Sequence, residues 1–171
     1  MNAHVDMKGG ELPGLKALIA RMAEATDKNV LVGLPAGAKA EEDGTSVVLV
    51  GAVNEFGSPE HNIPERSWLR GGIRRGLPKI RQVNQDSLRK VVRGEMTIDQ
   101  AVNKTGVIAV GEVKREFTVG QFKPLRPATI AARKRRFGKK STRPLIASGN
   151  LRQEVTYILE GEQSSNARVI E

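Results

Sequence analysis

The chain has 171 residues and a formal net charge of +9, with four Phe, one Tyr, one Trp and no Cys. That length suits a single domain, residues 1–171, whose modest core is drawn mostly from aliphatic side chains. The absence of Cys excludes disulfides, thiolate nucleophiles and cysteine-based zinc sites, and is compatible with a reducing cytoplasm.

The first 25 residues lack a basic start followed by an apolar core, so no secretory signal is read there. Residues 1–10 read as a flexible tail, and no run approaches the roughly 18 apolar residues of a membrane span. The charge is unevenly placed. Residues 121–143, QFKPLRPATIAARKRRFGKKSTR, hold Lys123, Arg126, Arg133, Lys134, Arg135, Arg136, Lys139, Lys140 and Arg143 and no acid, so the rest of the chain sums to zero. This segment is a basic, extended arm on a balanced domain, suited to nucleic acid or to an acidic protein face. It is long, punctuated by Pro and Gly, and self-repelling, so we expect it to be poorly ordered in the lone subunit and to order on a partner.

Leu12, Leu15, Leu18, Ile19 and Met22 recur at helical spacing and predict a first amphipathic helix over residues 11–25, with Pro13 tolerated in its first turn. NVLVGLPAG (29–37) reads as a strand and turn, and AKAEEDGTS (38–46) as a loop. In SVVLVGAVNEFG (46–57) the β-branched run favours a strand while Thr-Ser can cap a helix. We read a short helix leading into an extended NEFG.

From Pro64 onward the apolar residues Trp68, Leu69, Ile73, Leu77, Ile80, Leu88 and Val91 are roughly helical, with Gly71, Gly72, Gly76 and Pro78 as kinks or breaks. Thr97 and Gln100 match the capping box of a second long helix. Its apolar stripe is Ile98, Ala101, Val102, Thr105, Ile108, Ala109, Val113 and Phe117, and Gly106 and Gly111 would allow a close neighbour. Pro127 and Gly138 bracket a short helix in the basic segment. LRQEVTYIL (151–159) reads as a half-buried strand, with ARVIE at the end as its hairpin partner. The whole is an α+β layer: a small antiparallel sheet packed against two long helices.

Nothing in the pattern asks for catalysis, a metal or a cofactor. His4 and His61 have no companions at metal-ligand spacing, and His61 reads as a solvated loop side chain. Glu41, Glu42 and Asp43 read as an acidic loop, VGLPAGAKA lacks the features of a phosphate loop, and Ser148 reads as a turn cap. The basic run could neutralise phosphates, but only Phe122 and Phe137 flank it, which is no stacking platform.

One stretch, NEFGSPEHNIPERSWLR (54–70), gathers Phe56, Trp68, Arg66, Arg70, Pro59 and Pro64. The prolines stiffen the loop before it orders anything. Phe56 and Trp68 are rigid anchors of a type enriched at interfaces. Arg66 and Arg70, four apart, could share one face of a helix. We take all four as candidate contacts to a neighbouring subunit or partner. Alternatively Phe56 and Trp68 staple the loop to this chain's own core, and one residue can do both.

This stretch, followed in order by PATIAARKRR and PLIASGNLRQEVTYIL, resembles the signature segments of tailed-phage virion morphogenesis proteins, the neck or tail completion family. The likeness covers roughly residues 28–160. Trp68 stands where the family usually has Phe, and Ala147-Ser148 where Asp-Thr is usual, so no role of that carboxylate carries over. The resemblance implies a non-enzymatic structural protein, made in the host bacterial cytoplasm and carried in the virion. There it would form a homo-oligomeric ring of six at the head–tail junction, against other neck and tail proteins. The competing expectation is a non-specific DNA-binding protein acting through residues 121–143.

Overall fold

The computed structural model describes residues 13–26, 28–41, 43–138 and 142–160. Helix α1 spans Pro13–Thr26, strand β1 Asn29–Gly33, α2 Val47–Phe56, α3 Trp68–Val92, α4 Ile98–Val119, α5 Pro127–Phe137, α6 Asn150–Glu154 and β2 Thr156–Glu160. The architecture is α+β. The two strands form one small antiparallel sheet, in register from Asn29 against Glu160 to Gly33 against Thr156, and it lies on α4. β2 pairs with β1. The expected hairpin partner at the C-terminus, like the tail at residues 1–10, lies outside the described residues.

The sheet alternates as a one-sided strand pair should. Val30, Val32, Tyr157 and Leu159 turn inward, while Leu31 and Ile158, opposite one another, stay exposed. Tyr157 sits so close to α4 that a Cβ on Gly106 would lie 2.4 Å from its ring, which is why that position carries no side chain. The Tyr157 hydroxyl donates to Asn103 Oδ1 at 2.9 Å. Gly111, the other glycine expected to admit a neighbour, faces open space.

α3 and α4 are the frame. α4 begins with the expected reciprocal cap: Gln100 N donates to Thr97 Oγ1 and Thr97 N donates to Gln100 Oε1. The two helices run antiparallel, and the glycines of α3 are contact points rather than the expected kinks or breaks. A Cβ on Gly72 would lie 2.7 Å from Val113 Cα, and one on Gly76 2.5 Å from Glu112 Cβ. Without side chains there, the backbones approach closely. Pro78 does not break α3 either. It lies on the exposed face, where the carbonyl it leaves without an amide partner meets water.

The main core gathers Val47, Trp68, Val113, Phe117, Leu145, Leu151 and Val155. A smaller cluster of Val91, Ile98 and Ala101 closes the α3–α4 turn. Two expectations are corrected here. NEFG is not extended: α2 runs through Phe56, because Val47, Gly51 and Glu55, each four apart, make one buried helical stripe. LRQE is not strand: Leu151 and Val155, also four apart, both face the core, so α6 precedes β2. Ser148 Oγ accepts from Asn150 N at the start of that turn, the capping role expected of it.

Candidate partner-binding site

The 54–70 stretch forms a corner between α2 and α3, and it is stitched by charge. Glu55, at the end of α2, is buried and its carboxylate sits over the start of α3. There it accepts from Ser67 Oγ at 2.9 Å, Leu69 N at 2.8 Å, Arg70 N at 3.1 Å and Arg70 Nε at 2.8 Å. A side chain from the preceding helix thus supplies the cap that Ser67 does not give its own helix, and it places negative charge at the positive end of α3. Burial alone would push the Glu55 carboxyl up. The Arg70 guanidinium, the two amides and the Ser67 hydroxyl outweigh it and hold the group below its ordinary value.

Arg70 also donates to Glu65 Oε1 at 2.9 Å and stacks 4.9 Å from the Phe56 ring centre. Phe56 is therefore an exposed aromatic, 67% accessible, held from behind by a cation. Trp68 is turned the other way. It is 2% exposed, donates from Nε1 to Gly51 O at 3.0 Å and meets the Phe117 ring at 5.3 Å between centres. Within this chain Trp68 is core.

Arg66 does not share a helix face with Arg70, because α3 starts only at Trp68. It is buried, and its guanidinium reaches across to Lys123 O at 2.9 Å, Pro124 O at 3.3 Å and Asn54 Oδ1 at 3.4 Å. All three acceptors are neutral, and burial lowers its pKa. Arg66 is the rivet between the 54–70 corner and the basic segment. The loop between α2 and α3 is closed by the Ser58–Ile63 bridge and by a 2.9 Å contact of Ser58 Oγ with His61 Nδ1, a pairing not legible in the sequence. His61 is exposed, and that contact serves the turn.

The basic segment is neither wholly extended nor loose from the domain. After residues 121–126 it becomes α5, and Phe122 packs on the core. Arg133 donates to Arg143 O at 3.2 Å, Arg143 to Thr118 O at 3.5 Å, and Arg136 pairs with Asp43 at 3.2 Å. Asp43 is held at about 2 by the hydroxyl and amide of Thr45 and by Arg136. Arg133 is pushed down by burial and by repulsion from Arg66. Lys123, Arg126, Lys134 and Arg135 are exposed, and no carboxylate among the described residues pairs with them. Lys139 and Lys140 lie outside the described residues.

The structure thus brings Phe56 and Arg66 together with Lys123 and Arg126 around a cleft of about 750 Å³, with Arg70 stacked on Phe56 outside its lining. A second concavity, about 500 Å³, is apolar and lies between α1, β1, α3 and α4. Among the described residues no three His, Asp or Glu side chains cluster as metal ligands, and no helix is long and apolar enough to cross a membrane. Comparison with family models, curated proteins and solved structures returns no match.

Proposed function

We propose that the chain is a structural subunit of a tailed-phage particle, a tail completion or neck protein that forms a ring of six at the head–tail joint. The observation that supports this most is where the three signature-like segments lie. Trp68 of the first and Leu145 and Leu151 of the third share one core, and Arg66 ties the first to the lead-in of the second. The first and third of these segments place core residues against the α3–α4 frame, and the polar groups of the first are spent on capping and stitching. That suits a protein whose task is to hold surfaces at set angles. Heterologous contacts between ring neighbours close only at a defined rotation, so a rigid corner matters more than a reactive one. Phe56 and the exposed cations of residues 121–143 are then the surfaces offered to a neighbouring subunit or an adjoining ring.

Lys134 and Arg135, exposed and without a carboxylate among the described residues, also suit the second reading, non-specific binding to DNA phosphates. Cryo-electron microscopy of the virion separates the two. The assembly reading predicts density for this chain as a closed ring between portal and tail. A chain absent from the particle, or met only along packaged DNA, overturns it.

A further inference from the structure

The cleft between the 54–70 corner and residues 123–126 has walls of unlike origin fixed together by one side chain. Phe56, Ile63 and Pro64 form one wall and Lys123, Pro124 and Arg126 the other. Arg66, crossing between them, holds the width of the cleft before any ligand arrives. Its charge is the unusual feature. Among the described residues this guanidinium, 6% exposed, is bonded only to neutral oxygens, and Lys123 and Arg126 stand at the rim with no carboxylate partner. The one acid in the lining, Glu65, is already bound by Arg70. The cleft therefore carries uncompensated positive charge beside an exposed aromatic ring.

The backbone adds direction. No amide between residues 121 and 126 donates to another described group, while Arg66 takes the Lys123 and Pro124 carbonyls, so the Lys123 and Arg126 amides are the backbone donors left at this wall. The described surface of a second copy is poorly equipped to fill the cleft. Among the acids whose side chains are described, only Glu60 and Glu154 have no donor or cation of their own, and Glu60 belongs to the cleft's own loop. A DNA duplex is too broad and convex to enter a concavity lined partly by Phe, Ile and Pro.

We infer that this cleft binds an extended, acidic peptide segment of a different protein, its carboxylates on Lys123 and Arg126 and an apolar side chain against Phe56. This goes beyond the assembly reading, since the isolated subunit would bind such a peptide whether or not it enters a ring.

The test is a titration of the full chain, followed by amide chemical shifts, with a capped hexapeptide alternating Glu and Leu. Its Gln-for-Glu counterpart and a short DNA duplex serve as comparisons. The expected result is saturable shifts at residues 56–64 and 121–126, with affinity for the Gln peptide about tenfold weaker or worse. The Lys123→Glu/Arg126→Glu and Phe56→Ala variants should each lose about tenfold with an unchanged melting temperature. Equal binding of the two peptides, shifts confined to α5, shifts at the cleft caused only by DNA, or no binding would each overturn the inference. Should a variant melt early, Lys123→Gln/Arg126→Gln repeats the test without introducing acids. Undiminished affinity in that folded variant also overturns it.

Discussion

The corner at residues 54–70 and the segment at residues 121–143 are both rich in arginine, and they use it differently. At the corner the guanidiniums are turned to the chain itself: Arg70 to two carboxylates, Arg66 to carbonyls, with Glu55 capping a helix. In the basic segment Arg136 and Arg143 bond to Asp43 and Thr118 outside it and Arg133 to Arg143 within it, while Lys123, Arg126, Lys134 and Arg135 are left facing water. One region converts charge into shape and the other leaves much of its charge exposed. Density of cations in the sequence does not distinguish the two uses. What does is whether a carboxylate or carbonyl is folded within reach.

Breaking the first region should unfold the protein. Trp68→Ala empties a site in the main core and should cost about 3–5 kcal/mol of unfolding free energy in a urea titration. A loss below about 1 kcal/mol would mean that Trp68 is not the anchor of the frame. Glu55→Ala should cost about 2–3 kcal/mol by the same measurement. It uncaps α3 and frees Arg70, but Arg70 is half-exposed and water replaces part of what is lost.

The sign of the pH dependence follows from Glu55. Its folded pKa is depressed, so its contribution is complete above the ordinary glutamate value of about 4.3 and is lost as pH falls through the lower folded value. Glu112, held down mainly by Lys79 against the opposing effect of burial, acts in the same direction. Urea midpoints should therefore fall as pH drops below about 4, and Glu55→Gln should flatten that slope. An unchanged slope in the variant would refute the cap.

A pair of glycines sharpens the contrast between frame and surface. Gly76→Ala drives a methyl into Glu112 Cβ and should destabilise by about 1–3 kcal/mol. Gly111→Ala meets nothing within 4 Å and should stabilise α4 by up to about 1 kcal/mol. Thermal melts of the two should shift in opposite directions.

Much of this frame is legible in the sequence. The capping box at Thr97, the stripe from Ile98 to Phe117 and the period-two pattern of Tyr157 and Leu159 each depend on local spacing, and each element forms as that spacing predicts. Apart from LRQE, where Leu151 and Val155 fit either spacing, the misread places share one cause. The stripe of α2 is hidden because two of its three buried members are Gly and Glu, whose reasons for burial are partners on other elements: Trp68 and Arg70. Glu112 and Glu116 look like surface acids until Lys79 and Arg75, 33 and 41 residues earlier, are brought beside them by the glycines of α3. Gly72 and Gly76 read as breaks because a close helix contact and a helix defect use the same residue. The cleft is unreadable for the same reason, since Arg66 joins its walls from 57 residues before Lys123.

The most direct test of the division between the two regions is incorporation of the Lys134→Glu/Arg135→Glu variant into particles, scored beside its unfolding free energy. These two cations have no carboxylate partner among the described residues, unlike Arg136, so their reversal should change stability by no more than about 0.5 kcal/mol. The account predicts a folded subunit that fails to join the particle. Normal incorporation, or failure accompanied by a loss of stability like that of Trp68→Ala, would contradict it.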